Sequence, residues 1–470
     1  MKMFFRGEWR SSAQVAEVRN PYNNHVIDTV PRGHASDVEV ALAGVAAGAK
    51  TMAALPGYKR FQILSKAAQL LAERADDLGR TISSEEGKPL AEGRFEVQRA
   101  RETLELSAEE AKRICGEVLP LDGASAGAGK LGFTLRVPCG VVAAITPFNF
   151  PLNLVCHKVG PALAAGNAVI LKPAGDTPLS ALRLVEILLE AGLPPDGIAC
   201  VTGPGNVVGE AIVRDPRVRK VSFTGSRDVG EHLVCVAGLK RVTMELGSNS
   251  PLIVLPDADL AKVADAVVAT GYANAGQLCI STQRVLAVGD VYEELLERVV
   301  PKVAALRAGD QLDPQTQVGP LVREADAVRV EQWIQEAAGG GARVLCGGKR
   351  HGAVVEPAVV ADVKPSMKIA TEELFGPAVA VSRAASIDEA IQLANDSKYG
   401  LSAGVFTQNL EAALRFAREV QSGNIHINWG PAWRADLMPY GGLKDSGFGK
   451  EGPKYAVQEM TETKTIVIHG

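Results

Sequence analysis

The chain reads as an α/β protein: a doubly wound, Rossmann-like cofactor domain joined to a second α/β catalytic domain and a small β oligomerisation arm. Three observations predict this. From Gly140 to Glu245 short apolar runs alternate with helical stretches, the texture of a parallel sheet with crossover helices. A second α/β segment opens after Ser248-Asn249-Ser250-Pro251. Two extended segments, 117–137 and 461–468, alternate as strands do yet belong to neither core. With 470 residues, 46% of them hydrophobic and 22% charged, there is apolar side chain for more than one core.

The first hundred residues read as packing helices after a short hairpin-like start. Ser36-x-x-Glu39 is a capping-box pattern ahead of the Val38, Leu42, Val45 stripe, and Phe61, Leu64, Ala67 and Leu71 continue at helical spacing. Strands are expected at 141–145, 168–171, 198–201, 218–223 and 242–245, with ligands at their carboxyl ends. The second unit has apolar runs at 252–255, 285–288 and 379–381 and another capping box at Ser386-x-x-Glu389. The domains expected are therefore 1–116 with 138–247 for the cofactor, 248–445 for catalysis, and 117–137 with 446–470 as arm and C-terminal strand. Exposed strands invite pairing between subunits, so a homodimer or homotetramer is expected.

A formal net charge of −4, with no block of Lys or Arg, supplies no field for nucleic acid. The seven cysteines are scattered without C-x-x-C spacing, so neither a disulfide framework nor a metal site is expected and a reducing, cytoplasmic setting fits. No apolar run approaches the roughly 18 to 20 residues of a membrane span.

Three residues suggest acyl chemistry through a thioester. Cys279, in Gly276-Gln277-Leu278-Cys279, is a nucleophile if it becomes a thiolate; Glu245, in Met244-Glu245-Leu246-Gly247, is a candidate base; Asn149, in Thr146-Pro147-Phe148-Asn149-Phe150-Pro151, is a candidate oxyanion donor. Taken singly, each is weak evidence: a lone cysteine in an apolar stretch is usually a small core residue, and a lone asparagine before Phe-Pro is usually a turn residue. Around them lie candidate cofactor contacts. Gly203-Pro204-Gly205-Asn206-Val207-Val208-Gly209 is either a structural turn or a phosphate loop, since it misses G-x-G-x-x-G by one residue. Phe223-Thr224-Gly225-Ser226 at a strand end suits a pyrophosphate, and Lys172 sits where its ammonium could reach a ribose. Glu373-x-Phe375-Gly376-Pro377 offers a carboxylate and an aromatic wall, or merely a turn.

Taken together, Thr146 to Pro151, Lys172-Pro173-Ala174, Phe223 to Ser226, Glu245-Leu246-Gly247, Gly276 to Cys279, Glu373 to Pro377 and Pro439-Tyr440-Gly441-Gly442 resemble the aldehyde dehydrogenase superfamily, in the family's order and over nearly the whole chain. The resemblance implies Cys279 as nucleophile, Glu245 as general base and Asn149 with the Cys279 amide as oxyanion hole. It implies cofactor contacts at Thr146, Phe148, Lys172, Gly175, Gly205, Gly209, Gly225, Ser226, Leu246, Glu373 and Phe375. The reaction implied is aldehyde to thiohemiacetal to thioester to acid, with NAD or NADP. Gly175 stands where NAD-preferring members often carry a glutamate, which leaves room for a 2′-phosphate. Ser248 replaces a common glycine and Phe148 a common tryptophan. The branch resembled is that of lactaldehyde and phosphonoacetaldehyde dehydrogenases. Arg99, His157 and Arg434 fall where family members line the substrate funnel, and their convergence would receive an anionic aldehyde; Leu278 departs from an arginine found in some phosphorylated-substrate members. Trp429 and Trp433 could instead enclose an aromatic aldehyde. A CoA-acylating relative, disfavoured by Glu245, and a catalytically silent homologue are the alternatives.

Overall fold

Five parallel strands stack in the order Ile198–Cys200, Ala168–Lys172, Val141–Ile145, Val218–Thr224 and Arg241–Glu245. The structure is a computed structural model that describes residues 1–469. The chain leaves Val141–Ile145 in one direction and returns on its other side, so the order reverses between Val141–Ile145 and Val218–Thr224. At such a switch point the two flanking crossovers diverge and leave a crevice at the carboxyl ends of the strands. The residues that follow those ends include Thr146 to Asn149, Gly225 with Ser226, and Leu246. Every residue of Val141–Ile145 and Ala168–Lys172 is buried, as expected where helices cover both faces.

Antiparallel pieces finish both edges. An N-terminal hairpin, Met3–Phe5 with Glu8–Arg10, pairs with Ile198–Cys200 through Phe4 and Cys200, and Gly447–Phe448 pairs with Met244 and Glu245. Helices Gly57–Glu73, Leu90–Ala111 and Asn153–Ala164 pack on one another, and Pro453–Glu459 seats on the last two, adding Val457 to the first core. Helix Ala35–Ala54 begins one residue before the expected cap: Asp37 accepts from the His34 amide, so His34 and Asp37 fill the places foreseen for Ser36 and Glu39. At the second expected box Ser386 does cap, its hydroxyl accepting from the Glu389 amide.

The second sheet runs Arg343–Cys346, Ala358–Ala361, Ala378–Ala384, Thr282–Val288, Ser250–Val254, Ser402–Phe406 and Asn424–Ile427, parallel except at its first member. It has its own cores, built from residues such as Leu252, Val285, Val359 and Val379 on one side and Ile253, Leu286 and Val405 on the other.

Outside both sheets Thr461–His469 pairs antiparallel with Lys130–Pro138 along its full length, and Val118–Leu119 folds back on the same strand. The segment 117–137 is thus two strands rather than one. Turns at Leu121–Gly123 and Ser125–Gly127 interrupt it, where Pro120 and the glycines end strand pairing. Residues 446–460 lie on the first sheet and its helices, and only the segment after them enters this small sheet. Among the described residues no single helix is long and apolar enough to cross a membrane.

Candidate active site

Three elements from two sheets meet at the switch point. Glu245 ends its strand, Asn149 follows the central strand, and Cys279 lies on the loop that leads into Thr282–Val288. One hydrogen bond joins the halves: Asn149 Nδ2 donates to the Gln277 carbonyl at 2.8 Å. The Asn149 carbonyl in turn accepts from Lys88 Nζ at 2.7 Å and Asn274 Nδ2 at 3.2 Å. Asn149 is thereby fixed at backbone and side chain, while its second amide hydrogen stays available to a developing oxyanion.

The loop before Cys279 is wound the wrong way for L-residues. Asn274, Ala275 and Gly276 have φ of 48°, 53° and 71°. Gly276 is required twice over, since a Cβ there would also stand 2.1 Å from the Gly376 carbonyl oxygen. Bonds from Asn274 to the Glu86 and Glu92 carboxylates hold this turn against the helices of the first domain.

Burial pushes the Cys279 thiol up to about 12, opposed by the Tyr440 hydroxyl 3.3 Å from Sγ. Glu245 is 3% exposed and neither carboxyl oxygen has a hydrogen-bond partner. Burial, and then the neighbouring Glu451 carboxylate, hold it well above the usual carboxylate range. A carboxyl with no bonds of its own beside a sheltered thiol is suited to general base work, because its proton affinity is raised well above that of an ordinary carboxylate.

The residues named for the cofactor surround the crevice. Ser226 precedes helix Arg227–Ala237 without capping it through its side chain, so the first amides of that helix are open to an anion. Thr146 Oγ1 and Thr224 Oγ1 are buried with no partner. The Gly225 amide donates to the Glu245 carbonyl, and the Leu246 amide to the Ser446 carbonyl, which pins both strand ends. Lys172 is buried, donates to the Pro173 carbonyl at 2.9 Å and is lowered by burial to about 8. Gly209 lies against its stem, and open space adjoins Gly205 and Gly175. The Gly205–Gly209 turn is a single π-type turn ahead of helix Glu210–Arg214. On the far wall Phe375, with φ of 50°, meets Phe148 edge to face at 5.9 Å between ring centres. Glu373 accepts from the Ser248 amide at 2.9 Å, and burial raises it to about 7. A Cβ at Gly247 would lie 2.6 Å from its Oε2, so glycine there admits the carboxylate. Unpartnered hydroxyls, an uncapped helix and a two-ring wall fit a dinucleotide.

Arg99, His157 and Arg434 do converge, but around a carboxylate the sequence reading overlooked. Arg99 grips Asp436 with Nη2 at 2.6 Å and Nε at 3.3 Å, and His157 Nε2 lies 3.1 Å from the same group. Arg434 Nη2 donates to His157 Nδ1 at 3.0 Å, and its Nη1 to Glu451 at 3.2 Å. Its guanidinium also stacks 4.0 Å over the Tyr440 ring, next to Cys279. Glu451 is further bound by Lys158 at 2.8 Å. Tyr440, Asp436, Glu451, Lys158 and Lys88 were all missed as site residues. Tyr440 lies in the matched Pro439 to Gly442 segment and was the one within reach; the others show themselves only by burial.

A doubly wound sheet whose crevice faces a sheltered thiol, an unpartnered carboxyl and a fixed side-chain amide defines a nicotinamide-dependent dehydrogenase that works through a cysteine adduct. Residues 9–466 match the profile of the aldehyde dehydrogenase family. The chain is 45% identical to the 3-sulfolactaldehyde dehydrogenase of Priestia aryabhattai over 467 residues, 99% of this chain and 98% of that one. Two solved structures superpose closely at 37% identity. An aldehyde dehydrogenase of Physcomitrella patens in complex with the reaction product succinate has a TM-score of 0.97, covering 100% of this chain and 98% of the other. The glyceraldehyde-3-phosphate dehydrogenase of Methanocaldococcus jannaschii complexed with NADP has 0.94, covering 98% and 100%. The chain belongs to the aldehyde dehydrogenase family and is an NAD(P)-dependent oxidoreductase that converts an aldehyde to a carboxylic acid.

Proposed function

We propose that Cys279 Sγ attacks the aldehyde carbon, with Glu245 accepting the thiol proton and the Asn149 side-chain amide and Cys279 backbone amide facing the oxyanion. Bound at the crevice, NAD(P) supplies the hydride acceptor. After passing the thiol proton to solvent, the Glu245 carboxylate takes a proton from the water that attacks the thioester; the acid is released as the C–S bond breaks, and the proton returns to the departing thiolate to restore the thiol. The observation that carries this reading is the Glu245 carboxyl, buried and without any partner, in one cluster with Cys279 and Asn149. The same carboxyl favours hydrolysis over transfer to CoA, and a silent homologue would have no reason to keep it.

The substrate is a small anionic aldehyde. Arg434 is stacked on Tyr440, one residue away from the reacting sulfur, and its buried Nε has no hydrogen-bond partner. The 3-sulfolactaldehyde relative and the succinate complex are in keeping with this. NADP is accepted alongside NAD, because Gly175 leaves open space and the nearby Asp176 carboxylate is paired with Arg323. Cofactor contacts follow the residues around the crevice: Thr146, Phe148, Lys172, Gly205, Gly209, Gly225, Ser226, Leu246, Glu373 and Phe375. Assembly through Thr461–His469 gives a homodimer or homotetramer, working in the cytoplasm.

Steady-state reduction of NAD and NADP with neutral, carboxy, sulfo and phosphono aldehydes of one chain length, with and without CoA, tests these assignments. Cys279→Ala is expected to lose turnover while still binding NADPH by fluorescence. Retained turnover would remove the nucleophile, and equal efficiency on neutral and anionic aldehydes would remove the anionic substrate.

A further inference from the structure

Arg99, Arg434 and Lys158 place three cationic groups in one hydrogen-bonded network with the two carboxylates Asp436 and Glu451. His157 adds no charge. Its Nδ1 accepts from Arg434, which leaves the proton on Nε2 to face Asp436, and burial together with Arg434 lowers its proton affinity. Burial opposes ionisation of Asp436, but bonds from His157 and Arg99 outweigh it and hold the group below the usual carboxylate range. Glu451 is likewise held down, to about 2, by Lys158 and Arg434 against its burial. Both carboxylates are therefore ionised at neutral pH. Lys450 stands outside the network, bonded to the Gly441 carbonyl.

Glu245 also faces Arg434 and Lys158, and while its burial keeps it protonated the network retains one positive charge more than negative. The network's buried donor without a hydrogen-bond partner is Arg434 Nε, on a side chain 9% exposed and 3.8 Å from Asp436. Arg99 is not available in the same way, since Asp436 holds one edge of its guanidinium through Nε and Nη2 and offsets its charge there.

Resting on the proposed anionic substrate, we infer that Asp436 is the charge-counting residue of the substrate pocket. Its carboxylate engages Arg99 and His157 in place of a ligand, leaves Arg434 to meet one negative charge, and repels a second. The pocket accordingly selects aldehydes bearing a single negative charge, carboxylate or sulfonate, over dianionic phosphonates or phosphates of the same length. Two like charges forced together in a water-poor pocket disfavour binding strongly, so the selection follows from the fixed charge.

The test compares kcat/KM of the full-length enzyme and two variants on a neutral, a sulfo and a phosphono aldehyde of equal length, the neutral one serving as each protein's internal reference. The wild type is expected to favour the sulfo over the phosphono substrate. Asp436→Asn keeps the shape and lets Arg99 turn to the ligand, so the phosphono-to-sulfo ratio should rise by about tenfold or more. Arg99→Ala leaves Asp436 without its main counter-charge and should lower both anionic substrates relative to the neutral one, most for the phosphono. Opposite movement of the two variants would not arise from loosened packing, which lowers all three substrates together.

An unchanged ratio in an active Asp436→Asn enzyme would overturn the inference, as would Arg99→Ala losing all three equally. Should Asp436→Asn fail to fold, Arg99→Ala alone decides it. A wild type indifferent between neutral and sulfo aldehydes would instead sink the anionic substrate itself.

Discussion

Glu245 and Cys279 set the pH behaviour of the reaction, since burial raises both groups and each works only once it has lost its proton. An acid raised above its ordinary value is protonated, and idle as a base, until pH climbs through the raised value. The rate of aldehyde oxidation is therefore expected to climb with pH above the ordinary carboxylate range and on into the alkaline range, and a flat profile would contradict the shifts. Glu245→Gln removes the base for hydrolysis and should lower kcat by about 10²- to 10⁴-fold. If the thioester is what waits for that base, mass spectrometry after mixing with substrate and cofactor will find the acyl group on Cys279. Tyr440 acts on the sulfur from the other side. Its hydroxyl lowers the thiol, so Tyr440→Phe should shift the pH dependence of iodoacetamide alkylation upward. Alkylation unchanged in rate and pH dependence would show that the 3.3 Å contact has no electrostatic role.

The loop that carries Cys279 depends on a buried lysine. Lys88 follows Gly87, whose φ of 100° ends helix Ala75–Glu86, and sits between that helix and Leu90–Ala111. Its ammonium meets Glu96 at 2.7 Å, the Asn149 carbonyl at 2.7 Å and the face of Phe150 at 3.9 Å. Glu86 and Glu92 then reach Asn274 on the left-handed turn. Lys88→Met would leave Glu96 buried without its counter-charge, held only by the Leu152 and Asn153 amides, at a cost of about 3–5 kcal/mol in stability, read from the midpoint of urea unfolding. A loss below about 1 kcal/mol would mean that the carboxylates already carry enough protons to do without it. This arrangement also marks where sequence reading stops. The strands of both sheets stand out because apolar runs and crossover helices repeat, and Cys279, Glu245 and Asn149 stand out because their chemistry is rare in combination. Lys88, Lys158, Asp436 and Glu451 are ordinary surface types by composition. Only the fold shows them 6% exposed or less, each with a partner far away in the chain, such as the Asn149 carbonyl for Lys88. Arg99, His157 and Arg434 converge as their positions suggested, and what hydropathy could not reveal is that a fourth residue already neutralises part of their charge.

Across the whole molecule the ionisable groups pull stability in two directions. Burial raises Glu85 and Glu92 to about 7 and Glu86 to about 8, with Lys88 opposing it at Glu86 and Glu92. In the folded protein these groups hold protons that the unfolded chain releases near its ordinary value of 4.5. Their contribution is complete below that value and is lost as pH rises through about 7 and 8. Asp436 and Glu451 do the opposite: lowered in the fold, they stabilise above their ordinary values and lose that contribution as pH falls towards about 2 for Glu451. Stability against unfolding is therefore expected to peak at about pH 5 to 6 and to fall towards pH 8, while activity rises over the same interval. Two of the raised carboxyls, Glu86 and Glu92, hold Asn274 on the left-handed turn, so the fold gives up stability where it holds the nucleophile's loop. The check is the unfolding midpoint in urea from pH 5 to 9, for wild type and for Glu92→Gln. Glu92 accepts at one oxygen only, from the Asn274 amide at 2.9 Å, so a glutamine oxygen can replace it there without a charge to titrate. The variant should lose part of the decline between about pH 6 and 8 while matching the wild type near pH 5. A wild-type midpoint that climbs steadily to pH 8 would mean that these carboxyls are ionised in the folded protein, and that cations around Lys88 carry more of their charge than their burial takes away.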